Sequence, residues 1–289
     1  MRLLIILLII PTICFSQPLT QIKTRKQAES FIKENFKYYN YKYDLFVIDS
    51  VNSNFDNYKE GDFNHDGIKD LLVFGTAHVT VKTETYREDE IIIIIGDKKK
   101  PRKINFPYSY FRGLGVHIIP YPKIINIGQK DFVLIKYDIV NREQTSETFY
   151  DTLFIKNDHL IPFANIPSDK VITGVEFKTN RCYGTCPVFE MTIDKNLEVE
   201  YNGIEYVDKK GQYKLRVDHK DWDYITNLIS NLKVENLEDN YSIDWTDHQT
   251  AFLTVIFNDG TKKSITDYGL SGTFGLSVLY NYFFELRKF

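Results

Sequence analysis

Apolar positions along the chain follow two spacings. Ala28, Phe31, Ile32, Phe36 and Tyr39 recur at helical intervals behind Thr24 and Gln27, a capping-box pair, and predict a helix over residues 24–38. The pattern then shortens to β-rich runs separated by Gly, Asn and Asp: DLFVIDSV, DLLVFG, EIIIIIG, PKIINIG, DFVLIKYDIV and YDTLFIKN. GQKD and KNDH read as hairpin connections, so the pairing is expected to be antiparallel. The five isoleucines at 91–95 are far too few to cross a bilayer and are flanked by Glu88, Asp89, Glu90 and Asp97. They predict a strand buried on both faces.

FANIPSDK, ending at Lys170, is the candidate boundary between two strand-rich blocks. Beyond it VITGVEFKT, VFEMTID, LEVEYNG and QYKLRVD predict a meander, and Asp218 caps a helix with Trp222, Ile225, Ile229 and Leu232 on one face. AFLTVIF and TKKSITDYG form a hairpin around Asp259 and Gly260, and FGLSVLYNYFFELRKF closes the chain as a helix. Strands followed by helices, without βαβ alternation and without a long-period repeat, predict an α+β fold. Two domains are expected, 17–168 and 169–289, each a mainly antiparallel sheet with one or two packed helices.

The start of the chain belongs to neither block. Arg2 precedes an apolar run at 3–10, then Pro11 and small residues, the pattern of a secretory signal peptide over 1–16 cut after Ser16. Cys14 is the alternative, a lipid-acceptor cysteine in a poor lipobox. Export to the periplasm, the outer membrane or the medium is expected, with no spanning segment after the signal. The net charge of −3 and interspersed signs give no field for nucleic acid, and Lys98, Lys99, Lys100, Arg102 and Lys103 are expected to be a solvated loop.

Candidate chemistry begins in GDFNHDGIKDLLVF, residues 61–74. Asp62, Asn64 and Asp66 alternate, the carbonyl of Ile68 and the side chain of Asp70 follow, and Gly67 permits a sharp turn. Hard cations such as Ca²⁺ take oxygens from loop positions 1, 3, 5, 7 and 9 in this way. An EF-hand also needs Glu at position 12, where this chain has Val73 entering a strand. The loop resembles the calcium loop of FG-GAP and VCBS repeats, in which D-x-[DN]-x-D-G-x-x-D runs into a hydrophobic strand, although here it is a single copy. The resemblance implies structural Ca²⁺; an Asn/Asp/Gly turn without an ion is the plainer alternative. His65, between ligand positions, is expected to point outward.

Two cysteines remain after the signal, in TNRCYGTCPVFE. In an oxidising compartment Cys182 and Cys186 are expected to form a disulfide. A redox-active pair usually has two intervening residues at a helix start, and zinc would need further ligands; both readings are weaker. RCYGTCPVFEMTID, VEYNG, DWTDHQTAFLTVIF and KKSITDYG together resemble a bacterial family catalogued as a domain of unknown function. Its pattern combines R-C-x-G-x-C-P, a Y-x-G turn, a T-D pair and a K-x-[IV]-x-[DH]-Y element, and the resemblance runs from about Val171 onward. It points to Arg181, Cys182, Gly184, Cys186, Pro187, Tyr201, Gly203, Thr246, Asp247 and Tyr268. Many relatives carry an apolar residue and proline where this chain has His248 and Gln249.

The function expected is that of an exported bacterial envelope protein, a non-catalytic calcium-stabilised binding or structural module for a protein or glycan of the cell envelope. The alternative is a secreted hydrolase using Asp247, His248 and Arg181. A third possibility is an inhibitor or immunity-type partner with an exposed apolar patch. Neither H-E-x-x-H nor G-x-S-x-G occurs.

Overall fold

A computed structural model describes residues 19–36, 42–48, 58–81, 84–97, 100–104, 106, 121–140, 146–244, 246–270 and 272–289. The expected signal peptide and Cys14 lie outside the described residues. The fold is sheet-rich α+β, in two compact units: residues 1–60 with 68–103, and residues 61–67 with 104–289. The expected boundary stretch 163–170 therefore lies inside the second unit.

In the first unit, α1 (Arg25–Asn35) starts as predicted: Thr24 Oγ1 accepts the Gln27 N–H at 3.3 Å, and Gln27 Oε1 accepts the Thr24 N–H at 3.0 Å. Its stripe of Ala28, Phe31 and Ile32 is buried with Leu71, Val73, Ile92 and Ile94. The helix ends one turn short of the predicted limit, where the Phe36 N–H closes onto the Ile32 carbonyl at 3.0 Å. Its sheet contains β1 (Lys42–Ile48), β2 (Tyr58–Gly61), β3 (Asp70–Val81), β4 (Glu84–Ile95) and β5 (Arg102–Ile104), in the order β1-β3-β4-β5 with β2 on β3. Residues 91–95 are each no more than 2% exposed, the double-sided burial that the isoleucine run predicts.

The second unit holds two sheets. β6 (Tyr121–Ile127), β7 (Lys130–Val140), β8 (Ser146–Lys156) and β9 (His159–Pro162) form a four-stranded antiparallel meander. Its turns fall at GQKD and KNDH, with positive φ at Gly128 and Gln129 and at Asn157 and Asp158, the backbone that matches the twist of a tight hairpin.

The other sheet comprises β10 (Ile172–Thr179), β11 (Val188–Asp194), β12 (Glu198–Glu205), β13 (Gly211–Arg216), β14 (Asn240–Ser242), β15 (Thr250–Phe257) and β16 (Lys262–Tyr268). Its order is β13-β12-β11-β10-β15-β16-β14, so β10 pairs with both β11 and β15 and joins the β10–β13 run to the β15–β16 hairpin. β14, which the sequence pattern does not show, pairs in parallel with β16. α2 (His219–Leu232) and α3 (Phe274–Leu286) follow caps at Asp218 and Thr273. α3 packs on one face of this sheet: Phe177 stacks on Phe283 with centroids 4.7 Å apart, and Phe189 meets Phe284 edge-on at 5.5 Å. At Gly275 a Cβ would lie 2.0 Å from Leu232 and 3.0 Å from Pro162, so glycine lets α3 seat against α2 and β9. Among the described residues no helix is long and apolar enough to cross a membrane.

Candidate functional site

The acidic loop is built by its own backbone. The carboxylate of Asp62 accepts the N–H groups of Asp66 at 3.0 Å and Gly67 at 2.9 Å, while the Asn64 side chain accepts the Asp66 N–H at 3.2 Å and donates to its carboxylate at 2.8 Å. Gly67 has φ 81°, which supplies the sharp turn. Below the loop, Phe63 is fully buried and its carbonyl accepts the Ile155 N–H at 2.8 Å. Asp131 on β7 accepts the Asp62 N–H at 3.1 Å and the Asn126 side-chain amide at 3.1 Å.

His65 does not point outward. Its ring lies parallel to Phe154 at 6.0 Å and edge-on to Phe132 at 5.0 Å, with Nε2 2.9 Å from the Asp131 carbonyl. The ring covers apolar area and meets a sheet carbonyl, which outweighs exposure to water. Asp131 is thus a loop-holding residue that the sequence does not reveal, because its partner is remote along the chain.

Of the remaining expected ligands, Ile68 is half-buried, and Asp70 is fully buried at the start of β3, where it accepts the Gly96 N–H at 2.8 Å. Gly96 is confined to glycine, since a Cβ would lie 2.3 Å from the Lys69 carbonyl oxygen. Among the described residues no three His, Cys, Asp or Glu side chains gather at metal-binding range. The donor set is nonetheless all oxygen, the type that suits a hard cation.

The second candidate site is the rim where β10 ends and β15 begins. Cys182 and Cys186 form the expected disulfide, with Cα atoms 5.8 Å apart. Inside that loop the Tyr183 N–H donates to the Asp247 carbonyl at 3.1 Å. Gln249, 7% exposed, donates from Nε2 to the carbonyls of Asn180 at 2.8 Å and Pro187 at 2.6 Å. Asn180 and Thr250 exchange both backbone and side-chain bonds, and Thr179 Oγ1 donates to the Pro187 carbonyl at 2.8 Å. Three chain segments are thereby fastened into one edge.

Most of the polar side chains of the rim have partners that are not one another. Arg181 forms a two-point ion pair with Glu205, Nε to Oε2 at 2.8 Å and Nη2 to Oε1 at 2.6 Å. The pair raises the guanidinium pKa and lowers that of the carboxyl. Asp247, at φ 69°, accepts from the Thr246 hydroxyl at 3.2 Å, and the His248 N–H donates to the Tyr268 hydroxyl at 3.3 Å. Among the described residues no hydrogen bond or ion pair joins the side chains of Arg181, Asp247 and His248. Gly184 is exposed, its N–H directed to Cys182 Sγ at 3.2 Å.

Tyr201 and Gly203 act elsewhere, on β12. A Cβ at Gly203 would lie 1.9 Å from the Lys209 carbonyl oxygen, so glycine lets the β12–β13 connection fold back onto its own strand. Tyr201 is 2% exposed with its ring edge-on to Phe289 at 5.0 Å, and burial pushes its hydroxyl pKa up. Both serve packing.

Residues 173–287 match the family described as Domain of unknown function (DUF6438). The DUF6438 region begins inside β10 and ends at Arg287, just past α3, so it takes in the whole rim and nearly all of the seven-stranded sheet with its two helices. No curated protein matches the chain. No solved structure matches it either.

Proposed function

We propose that the chain is an exported bacterial envelope protein that works as a non-catalytic binding or structural module. In this reading Asp62, Asn64, Asp66, the carbonyl of Ile68 and Asp70 hold one structural Ca²⁺, as in FG-GAP and VCBS loops. The ion would supply positive charge to the loop's carboxylates, and its role is to stiffen the loop.

The observation that carries the non-catalytic part is the two-point pair between Arg181 and Glu205. An acid/base site built on Asp247, His248 and Arg181 needs those side chains within hydrogen-bond reach of one substrate atom. The guanidinium is instead committed to Glu205. Asp247 and Gln249, through backbone and side-chain bonds, support the disulfide loop. The R-C-x-G-x-C-P and T-D elements, on this view, are devices for holding one rigid edge on the sheet.

The test uses the mature protein. N-terminal sequencing of the exported chain should begin at Gln17. Purified protein should sediment with isolated bacterial cell envelopes, less so after chelation or in Asp66→Ala, and should leave chromogenic esters, phosphates, glycosides and peptides intact. Turnover of any of these that disappears in His248→Ala or Asp247→Ala overturns the reading in favour of a hydrolase.

A further inference from the structure

The seven-stranded sheet has a second face. α3 packs on one side; on the other, within the described residues of the unit, the outward positions of β10 to β13 are solvent-facing and line a hollow of about 480 Å³. That lies within the roughly 300–1,000 Å³ of small-ligand sites, but its walls are polar where such sites are mostly apolar.

The strand register makes the hollow a lattice. Glu176, Thr192, Glu200 and Lys214 lie side by side across four strands, and Lys178, Glu190, Asn202 and Gln212 form the next row. Each acid in it has a cation: Glu190 with Lys178 at 3.6 Å, Glu200 with Lys214 at 3.2 Å, and Glu176 with Lys262 at 3.7 Å. The charges cancel pair by pair, which leaves no net field for a nucleic acid, another polyanion or a cationic peptide. Besides Tyr201, which is buried, and Tyr213, 37% exposed, the hollow is lined by charged, hydroxyl and amide residues, so neither a lipid nor the aromatic anchor of a protein partner has an apolar pocket to fill. What remains is a dense array of donors and acceptors on rigid strands, with the Asn202–Gln212 amide pair supplying both kinds. Phe252, 40% exposed and in register with Lys178, adds an aromatic face beside it.

A ligand complementary to such a surface is uncharged, carries many hydroxyl groups that each donate and accept, and has an apolar ring face to lie on an aromatic side chain. We infer that this sheet face binds a neutral polysaccharide, with Asn202 and Gln212 as its hydrogen-bonding centre and Phe252 as its stacking residue. The inference rests on the binding reading above and names its surface and its ligand class.

Affinity electrophoresis and calorimetry test it, with the full mature protein and soluble dextran, mannan, β-glucan, xylan, glycol chitin and muramidase-released peptidoglycan glycan as probes, and heparin as the polyanion control. Expected is millimolar or tighter binding to at least one neutral glycan. The Asn202→Ala/Gln212→Ala variant should weaken it at least tenfold and Phe252→Ala several-fold, each with an unchanged melting temperature. Absence of binding across the neutral panel overturns the inference, as does a preference for heparin or glycan binding that survives the double variant. If the double variant still sediments with envelopes as the unmodified protein does, the sheet face is wrong while the binding reading stands. If sedimentation itself is missing, that reading fails.

Discussion

The backbone N–H of Tyr183 donates to the carbonyl of Asp247 at 3.1 Å, although the two residues belong to loops at the ends of different strands. The donor sits inside the Cys182–Cys186 ring. A short covalent ring narrows where that N–H can point, and the left-handed backbone of Asp247 turns its carbonyl toward it. The disulfide and the turn before β15 are therefore one mechanical element.

Removing the ring should loosen both loops. For Cys182→Ser/Cys186→Ser, the entropy of closing so short a loop gives a loss of about 2 kcal/mol. At about 2–4 °C per kcal/mol for a unit of this size, scanning calorimetry should show a fall of roughly 4–8 °C. Reductant should lower the unmodified protein by a similar amount and leave the double variant where it is. Equal melting temperatures for both proteins would mean that the ring does not constrain the rim.

Gln249→Ala tests the other fastening. It leaves the carbonyls of Asn180 and Pro187 without the amide they share. The Pro187 carbonyl keeps the Thr179 hydroxyl, so the loss is that of two part-buried hydrogen bonds at about 0.5–1.5 kcal/mol each, and urea unfolding should report a fall of about 1–3 kcal/mol. Gln249→Glu should be at least as harmful, because it replaces the donor with a charge in the same buried place.

The legible parts of this molecule are those whose cause is local. The caps of α1 and α2, the tight hairpin turns and the doubly buried isoleucines each follow from a few neighbouring residues, and the Cys182–Cys186 bond joins two cysteines only four positions apart. What was hidden is non-local. β14 is three residues long, too short for any periodicity, and exists because β16 offers it an edge. His65 turns inward because Phe132 and Phe154 lie opposite it. Gln249 and Asp131 matter through partners many residues away, and no spacing rule reaches that far. The charge lattice on the sheet face likewise appears only once the strand register is known.

Calcium at the acidic loop should produce a small, specific stabilisation. With dissociation constants of about 0.1–1 mM, as in extracellular modules, about 1 mM Ca²⁺ contributes roughly 0.4–1.4 kcal/mol. That corresponds to a rise of roughly 1–5 °C over a chelated sample in a melting scan. Asp66→Ala should lose the response. Unchanged melting on adding Ca²⁺ would leave the loop as a self-bonded turn.

Acid should weaken the second unit through His159. Its ring, at the start of β9, lies 4.3 Å from Tyr224 and 5.4 Å from Tyr282, and the Tyr282 hydroxyl donates to Asp221 at the start of α2. Burial lowers the imidazole pKa, while Asp158 and Asp221 oppose the shift without cancelling it. The unfolded chain, whose histidine titrates near about 6.5, then holds more protons than the folded one in the window below that value, and stability falls as pH drops through it. His159→Gln should flatten the dependence of melting temperature on pH between about 7 and 5, and the ring's own titration, followed by NMR, should centre below about 6.5. A midpoint at that value would remove the dependence, and one above it would reverse the sign and show that the two aspartates outweigh burial.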